Sequence, residues 1–304
     1  MKKGISYWSF NGGLEGKADI EAVLKEAKAI GFDSVELTVP GGALNFETSE
    51  KTCQDIAKLA QAIGIEISSL ATGVYWSTSL TAGKAETRNL AIEYTNKMLQ
   101  IARWVGTDAL LVVPGAVDVF FDPASEHVRY DECYKLARQS IRACVKTAEK
   151  LKVALCLENV WNKFLLSPLE YRDFIDGFKS KYVKAYFDCG NARLNGFPEH
   201  WIELLGKQRI GRVHCKGFKF TFFGGGEQGE TGEIAAKCRA IAPGSGWAGA
   251  YSFCRLTGGD LDWKAIMAAF KEVGYDGYIT AEMLPFREGQ LQETKQDLDA
   301  IFKL

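Results

Sequence analysis

Four ionisable residues each stand directly after a short apolar run, and their types could together bind a metal ion. They are Glu158, Asp188, His214 and Glu282. If the apolar runs are parallel strands of a barrel, their carboxyl ends meet at one rim and these side chains share one cavity. Three carboxylates packed there would repel one another unless a positive charge lay between them. We therefore predict one divalent metal ion. A mixed set of oxygen and nitrogen ligands suits Mn²⁺, Mg²⁺, Co²⁺ or Zn²⁺ without selecting among them.

The elements that would position these residues repeat along the chain. Apolar residues recur every three or four positions before Gly31, Gly64, Gly106 and Gly274, which indicates amphipathic helices that end with a left-handed residue. A short β-rich run follows each glycine, and runs such as 109–113 are apolar on both faces, as strands covered by helices are. Eight strands alternate with eight helices in this interpretation, at about 38 residues a unit. The predicted fold class is α/β, a (β/α)₈ TIM barrel.

The chain is slightly longer than a plain barrel needs, and the excess lies in one place. A Gly-rich stretch at about 217–259 separates the seventh strand from its helix. No linker, repeat array or low-complexity tail divides the chain, so we expect a single TIM-barrel domain over 1–304 with this one insertion after strand 7. A doubly wound open sheet is the alternative fold. That fold normally places Gly-x-Gly-x-x-Gly after its first strand, whereas this chain has Asn-Gly-Gly at 11–13.

Composition excludes several classes of partner. The chain has 37 Lys+Arg and 38 Asp+Glu, so it lacks the basic excess of a nucleic-acid binder. No run approaches the roughly 18 consecutive apolar residues of a membrane span, and no apolar signal stretch follows Lys2 and Lys3, so we expect a cytoplasmic protein. None of the eight cysteines is spaced as Cys-x-x-Cys, and we expect reduced thiols in the core.

At this point the sequence resembles the xylose isomerase-like TIM-barrel superfamily, over essentially the whole chain outside about 217–256. The resemblance lies in the order of the four strand-end residues and in three segments, Phe-Asp-Cys-Gly-Asn at 187–191, Val-His-Cys-Lys at 213–216 and Thr-Gly-Gly-Asp-Leu-Asp-Trp at 257–263. The superfamily includes ketose 3-epimerases, sugar-phosphate epimerases and isomerases, hydroxypyruvate isomerase and the endonuclease IV group. The Asp-x-Gly-Asn motif and the segment 163–167 look most similar to pentulose-5-phosphate 3-epimerases.

Carried over position by position, the resemblance implies that the four strand-end residues hold one metal and that Glu158 and Glu282 are also the acid/base pair. This combination suits proton removal next to a ketose carbonyl. The enediolate needs a Lewis acid on its oxygens, and reprotonation from the opposite face needs a second carboxylate. The predicted function is a divalent-metal-dependent epimerase or isomerase of a ketose or ketose phosphate. A metal-dependent lyase acting on a keto-sugar or modified glycoside, and a non-catalytic sugar-binding barrel, are the alternatives.

Further residues near the strand ends are expected to contact the substrate or to orient a metal ligand. Lys216 lies two positions after His214, so strand alternation directs it into the same cavity. Glu36 ends the second strand and Asn159 follows Glu158, and either could orient a ligand. Aromatic side chains suit the apolar faces of a sugar, and four follow strands one, three and five: Trp8, Tyr75, Trp76 and Trp161.

Two positions depart from the free-ketohexose 3-epimerases of the superfamily. Those enzymes have a His three residues after the metal Asp, where this chain has Asn191, and an Arg six residues after the metal His, where it has Phe220. Asn191 stays an expected substrate contact, and the choice between sugar and sugar phosphate stays open. The endonuclease branch assembles a three-zinc cluster from several histidines, and this chain has three His in all. Assembly into a homo-oligomer is left open.

Overall fold

Eight parallel strands form a closed barrel, as the sequence predicts. The computed structural model describes residues 1–119, 122, 125–220 and 251–304. Each barrel strand pairs with its neighbour in chain order, and the last strand closes the ring onto the first. The barrel strands are β1 (Lys2–Ser6), β2 (Ser34–Thr38), β3 (Glu66–Ala71), β4 (Ala109–Val112), β5 (Ala154–Glu158), β6 (Val183–Asp188), β7 (Ile210–Cys215) and β10 (Tyr278–Ala281), and a separate antiparallel pair is β8 (Gly217–Phe220) and β9 (Tyr251–Cys254).

Helices cover the outside of the barrel. They are α1 (Ile20–Ile30), α2 (Glu50–Ile63), α3 (Ala85–Val105), α4 (Tyr130–Leu151), α5 (Pro168–Asp176), α6 (Cys189–Asn195), α7 (Pro198–Arg209), α8 (Trp263–Glu272) and α9 (Gln290–Ile301). The described helices include one more than the eight that the sequence predicts. The additional helix is α6, whose seven residues are too few for an amphipathic period to show. No helix in the described ranges is long and apolar enough to cross a membrane.

Local sequence signals fix where several of these helices begin and end. Gly31 and Gly64 end α1 and α2 with φ angles of 99° and 77°, in the left-handed region that glycine adopts without strain. Ser167 caps α5, since its Oγ accepts a hydrogen bond from the Glu170 amide at 3.2 Å. The Glu170 carboxylate accepts from the amide of Leu166, the residue before the cap, at 3.1 Å, which further fixes the start of the helix. The two glycines therefore fix the short loops that lead into β2 and β3, and the Ser167 cap fixes the end of the loop that follows β5 at the rim.

The apolar core lies on both sides of the barrel wall. Leu110, Leu155 and Val213 are fully buried in their strands, as expected for a parallel sheet that packs against helices outside and side chains inside. Of the seven described cysteines, all of them free thiols, six are buried and Cys254 is partly exposed. Cys238 lies outside the described residues.

The predicted insertion begins and ends as a two-stranded ribbon, which the sequence analysis did not anticipate. Gly217 pairs with Cys254 and Phe220 with Tyr251 in antiparallel register. The ring of Phe218 stacks on that of Tyr251 with centroids 5.1 Å apart, and this packing holds the two strands together. The Gly-rich residues 222–230 lie outside the described part of the chain, and a single domain over 1–304 stays a prediction.

Candidate metal centre and active site

The structure brings the four strand-end residues together at the carboxyl rim of the barrel. One ligand atom from each of Glu158, Asp188, His214 and Glu282 lies within 4.8 Å of the others, and all four side chains are buried. Glu158 and Asp188 are the last residues of β5 and β6, and Asp188 pairs with His214 of β7. Glu282 follows β10, where its amide donates a hydrogen bond of 3.0 Å to the Cys215 carbonyl. The ends of four adjacent strands therefore bring these side chains to one place at the rim.

Asp188 is held through one carboxylate oxygen and leaves the other without a hydrogen bond. Its Oδ1 accepts from the Asn191 amide at 2.7 Å, and Asn159 makes two hydrogen bonds with the Asp188 backbone, of 2.8 and 2.9 Å. Its Oδ2 is buried 3.1 Å from Lys216 Nζ but accepts no hydrogen bond of normal geometry. Buried carboxylate oxygens are rarely left in this state. An oxygen so directed fits the donor set of a divalent cation.

His214 is fixed by a carboxylate on the side away from the cluster. Its Nε2 lies 2.8 Å from Glu36 Oε1, while Nδ1 lies 3.4 Å from Glu158 Oε1 and 4.0 Å from Asp188 Oδ2. Burial alone would lower the pKa of His214, but the surrounding carboxylates, Glu36 and Glu282 foremost, raise it well above its usual value. With Nε2–H donated to Glu36, Nδ1 is the nitrogen available to a metal ion.

Glu36 is itself held from two sides in the barrel interior. Its Oε2 accepts a hydrogen bond from Ser69 Oγ at 2.9 Å and another from the Tyr186 hydroxyl. Ser69 and Tyr186 are also within hydrogen-bond distance of each other, at 3.0 Å. All three side chains are buried and come from β2, β3 and β6. These contacts form a cross-barrel network that orients the imidazole of His214.

Lys216 neutralises part of the carboxylate charge. Its ammonium donates a hydrogen bond to Glu282, lies 3.1 Å from Asp188 Oδ2 and sits 4.8 Å from the ring centroid of Phe253. Burial would lower the pKa of Lys216, but Asp188 and Glu282 raise it above its usual value, so the side chain stays charged. A Cβ at Gly190 would lie 2.5 Å from Lys216 Cγ. The glycine of the Asp-x-Gly-Asn motif therefore leaves room for the Lys216 side chain to pass against the first turn of α6.

The two glutamates stand in different environments. Burial raises the pKa of Glu158 above its usual value, and His214 opposes that shift only in part. Burial acts in the same direction on Glu282, but Lys216 and His214 outweigh it and lower the pKa of Glu282. Without a metal ion, the pair therefore contains one carboxyl group that binds a proton readily and one that stays ionised.

A cavity of about 670 Å³ opens above these side chains. The predicted site residues that line it are Glu158, Glu282, Lys216, Asn191, Trp8, Trp76 and Trp161. Asp188, His214, Glu36 and Asn159 are not part of its lining and lie behind it. Glu36 and Asn159, which the sequence predicts as residues that orient a ligand or contact the substrate, contact the candidate metal ligands His214 and Asp188.

The aromatic residues of the wall are held at defined angles. Trp161 Nε1 donates a 2.8 Å hydrogen bond to Asn191 Oδ1, and Asn191 Nδ2 donates to the Asn159 carbonyl at 3.0 Å. The rings of Trp76 and Trp161 are nearly parallel, with centroids 6.0 Å apart and an angle of 12°. Tyr75 differs from the expectation of an aromatic wall residue. It is buried, and its hydroxyl bonds to Thr95 Oγ1 at 2.8 Å.

The sequence analysis did not identify several residues around the site, including Tyr186, Ser69, Phe46 and Phe253. Tyr186 has the same strand parity as Asp188, so alternation along β6 could have indicated that it points inward. Ser69 carries no comparable signal, because its contact with Glu36 depends on which strands are neighbours. Phe46 and Phe253 line the cavity from a loop and from the ribbon, and no spacing in the sequence marks them.

Comparison with known proteins places the chain among barrels of one kind. A model of the family described as xylose isomerase-like TIM barrel matches residues 24–304. No curated protein matches the sequence.

Similar solved structures share the fold at low sequence identity. A D-psicose 3-epimerase from Clostridium cellulolyticum H10, solved with D-tagatose, has a TM-score of 0.74 at 18% identity and covers 100% of this chain and 99% of its own. The 3-keto-D-glucoside 4-epimerase YcjR from E. coli has a TM-score of 0.71 at 15% identity, covering 100% of both chains. The IOLI protein, solved with a zinc atom, has a TM-score of 0.71 at 14% identity and covers 99% of this chain and 98% of its own.

Proposed function

Because the chain belongs to the xylose isomerase-like TIM-barrel family, we propose that it is a divalent-metal-dependent epimerase or isomerase of a ketose or ketose phosphate. The observation that carries the proposal is the convergence of three buried carboxylates and an imidazole, with ligand atoms within 4.8 Å of one another. Two of these residues, Glu158 and Glu282, also line the adjoining cavity. The residues that would bind the metal ion and those that would transfer the proton therefore lie next to the same cavity.

Glu158, Asp188, His214 and Glu282 would hold the metal ion. Two features of this buried donor set support the assignment: Asp188 Oδ2 accepts no hydrogen bond of normal geometry, and His214 Nδ1 faces the carboxylates. A bound divalent ion would supply a Lewis acid, which lowers the cost of negative charge on substrate oxygens beside the reacting carbon. The IOLI structure with its zinc atom supports metal binding by a barrel of this fold.

Glu158 and Glu282 would move the proton. They stand at the ends of β5 and β10, which are separated by β6 and β7 around the barrel, so their carboxylates approach a bound sugar from different sides. One would remove a proton from the carbon next to the carbonyl, and the other would return a proton to the opposite face. Return to the neighbouring carbon would give isomerisation instead. Lys216, bonded to Glu282, would hold that carboxylate in place and contact a substrate hydroxyl.

Two of the similar structures support epimerisation in particular. One is named as a D-psicose 3-epimerase and the other as a 3-keto-D-glucoside 4-epimerase. Both names describe inversion at one carbon of a sugar that carries a keto group. The two substrates differ, so these names favour the reaction type more than any single sugar.

The decisive experiment follows carbon-bound hydrogen. The Mn²⁺-loaded protein is incubated in D₂O with a panel of ketoses, aldoses and their phosphates, and deuterium uptake is measured by mass spectrometry. We expect exchange with at least one ketose, and a loss of about 100-fold or more in Glu158→Gln and in Glu282→Gln, since a positioned acid or base contributes about 10²–10⁴-fold. Glu203→Gln, a change at an exposed glutamate on α7, is the matched control and should exchange normally.

Each other result has a definite meaning. Exchange that survives in both Gln variants would remove the acid/base assignment. Release of a leaving group from a keto-sugar or modified glycoside would indicate a lyase built on the same residues. Sugar binding without any exchange would indicate a non-catalytic barrel.

A further inference from the structure

The cavity above the carboxylates is larger than one sugar requires. Its volume is about 670 Å³. A free hexose displaces roughly 200 Å³, the volume of six or seven water molecules at ~30 Å³ each. A sugar whose reacting carbon lies at Glu158 and Glu282 therefore leaves most of the cavity for something else. Cavities of this size generally take ligands well beyond a single ring.

The charges around the cavity do not suit a second anionic group. Among its described lining residues, the ionisable ones are Glu15, Glu158, Glu282 and Lys216, without an arginine. Lys216 already bonds to Glu282 and lies 3.1 Å from Asp188. Away from the candidate metal ligands, a phosphate would thus meet the carboxylate of Glu15 and no unpaired cation on the described lining. Phosphate sites normally offer arginine, lysine or backbone amides.

The outer part of the cavity is instead an apolar mouth, formed by Leu14, Phe46, Trp76, Phe253 and Leu284. Leu14, Phe253 and Leu284 are 52%, 36% and 38% exposed, which is unusual for large apolar side chains gathered in one concave place. Phe46 is held by stacking on Tyr94, with centroids 4.0 Å apart and an angle of 9°. This contact fixes the position of Phe46 at the mouth.

Each of three hydroxyl groups beside the mouth already makes a hydrogen bond with the backbone. Thr38 donates to the Ala71 carbonyl at 3.3 Å, Thr72 accepts from the Val74 amide at 3.1 Å, and Ser77 donates to the Val74 carbonyl at 3.2 Å. A second sugar ring would need several hydrogen-bonding partners where these groups stand. An aryl or alkyl group needs none.

We propose that the apolar mouth binds an aryl or alkyl group attached to the sugar. The substrate class is then a neutral keto-sugar that carries an apolar substituent, as an oxidised glycoside does, and not a phosphorylated monosaccharide. This inference rests on the proposed function for the position of the sugar itself. The aromatic and aliphatic side chains at the mouth would remove the substituent from water and so direct the sugar ring towards Glu158 and Glu282.

The first test is a binding measurement that needs no turnover. Calorimetry of the full-length Mn²⁺-loaded protein compares phenyl β-D-glucopyranoside, methyl β-D-glucopyranoside and glucose 6-phosphate. We expect the phenyl glycoside to bind at least tenfold more tightly than either of the others. Equal affinity for the two glycosides, no binding of the phenyl glycoside, or tightest binding of the phosphate would each overturn the inference.

The second test compares solvent deuterium uptake by the 3-keto forms of the two glycosides. The preference of kcat/KM for the phenyl compound is expected to be at least tenfold and to fall at least threefold in Leu14→Asn. Leu169→Asn, at an equally exposed leucine of α5 outside the cavity, should keep the preference. A preference that Leu14→Asn does not change would refute the role of the mouth. Tight phenyl binding without uptake from any probe would refute the proposed function while leaving the mouth as a binding site.

Discussion

The orientation of His214 depends on buried residues that do not themselves face the candidate metal site. A metal-binding imidazole must present one nitrogen in a fixed direction and tautomer, and a carboxylate on the other nitrogen supplies both. Glu36 stands in that position for His214, at 2.8 Å, and is held in turn by Ser69 and Tyr186. The whole network is buried, so water cannot replace a lost contact cheaply.

The network predicts a graded effect on metal affinity. Glu36→Gln keeps the shape of the side chain but loses the charge that favours the Nε2–H tautomer, and we expect metal affinity to fall about 10- to 100-fold. Tyr186→Phe removes one hydrogen bond to Glu36 and should cause a smaller loss. Titration with Mn²⁺, followed by calorimetry, measures both.

Tyr182→Phe serves as the control, because Tyr182 directly precedes β6 and lies outside the network around Glu36. This variant should bind Mn²⁺ as the unchanged protein does. Equal affinities in all three variants would show that Glu36 has only a structural role. The pH profile of metal affinity adds a second reading, since a variant with a less well-oriented imidazole should bind metal over a different pH range.

Strand-end position and residue type were enough to predict the four candidate metal-ligand residues and Lys216 as neighbours. Each candidate ligand follows an apolar run, and adjacent parallel strands end at the same rim of the barrel. The same reasoning places Glu36 inside the barrel but does not identify Ser69 as its partner. Ser69 is the direct partner of Glu36 on the neighbouring strand β3, but that register depends on an irregularity between Val35 and Glu36 that no sequence pattern marks.

Helix α9 shows how elements at the other end of the barrel are joined. Asp299 accepts hydrogen bonds from Lys295 of its own helix, at 2.6 and 2.7 Å, and from Lys3 of β1, at 2.5 Å. These two lysines lower the pKa of Asp299, Lys295 most strongly, against the smaller opposing effect of burial. The last helix is thereby linked to the first strand, next to the seam at which β1 meets β10.

This ion pair should make stability depend on pH in a known direction. Because the pKa of Asp299 is lower in the folded state, its contribution is present above the unfolded pKa of ~3.9 and is lost as the pH falls through the folded value. Asp299→Asn should reduce the free energy of unfolding at pH 7 by less than about 1 kcal/mol, since the carboxylate is partly exposed. Urea unfolding at several pH values between 7 and 3 measures the difference.

The difference should shrink towards pH 3. In a Lys295→Gln background, Asp299→Asn should cost less than it does alone, because part of the pair is already gone. A difference that grew at low pH would contradict the sign assigned here.

Elements were predictable wherever a local signal marked them. Glycines at helix ends and the Ser167 cap gave boundaries within a few residues. Helix α6 was not predictable from periodicity. It has only seven residues and begins immediately after Asp188, which is both the last residue of β6 and the N-cap of the helix. The ribbon of β8 and β9 was not predictable, because its two strands are separated by a long Gly-rich insertion and neither strand has an alternating pattern long enough to indicate a partner.

Four adjacent strands of the barrel contribute to the candidate metal site. Three of the candidate ligands stand on the neighbouring strands β5, β6 and β7, and the fourth follows β10, the strand that closes the ring onto β1. An ion bound by all four would therefore cross-link a large arc of the barrel. Anything that binds the folded chain and not the unfolded chain stabilises the fold.

Addition of Mn²⁺ should raise the melting temperature of the metal-free protein. At 100 times the Kd the stabilisation is about 2.7 kcal/mol, which corresponds to roughly 4 °C for a chain of this size, at ~2.1 cal/mol/K of unfolding entropy per residue. Differential scanning calorimetry before and after EDTA treatment measures the shift. Asp188→Asn should abolish the shift, whereas Asp173→Asn, at an exposed acid of α5, should retain it. An identical shift in both variants would place the ion elsewhere.

The ribbon has a consequence for the far end of the chain. Arg255, just after β9, makes a two-pronged contact with Asp297 of α9, while Phe253 of the same strand lies over Lys216. Helix α9 therefore supports the strand that carries Phe253, which forms part of the cavity wall. Removing this helix would free Arg255 and so loosen the strand that carries Phe253, the ring above Lys216.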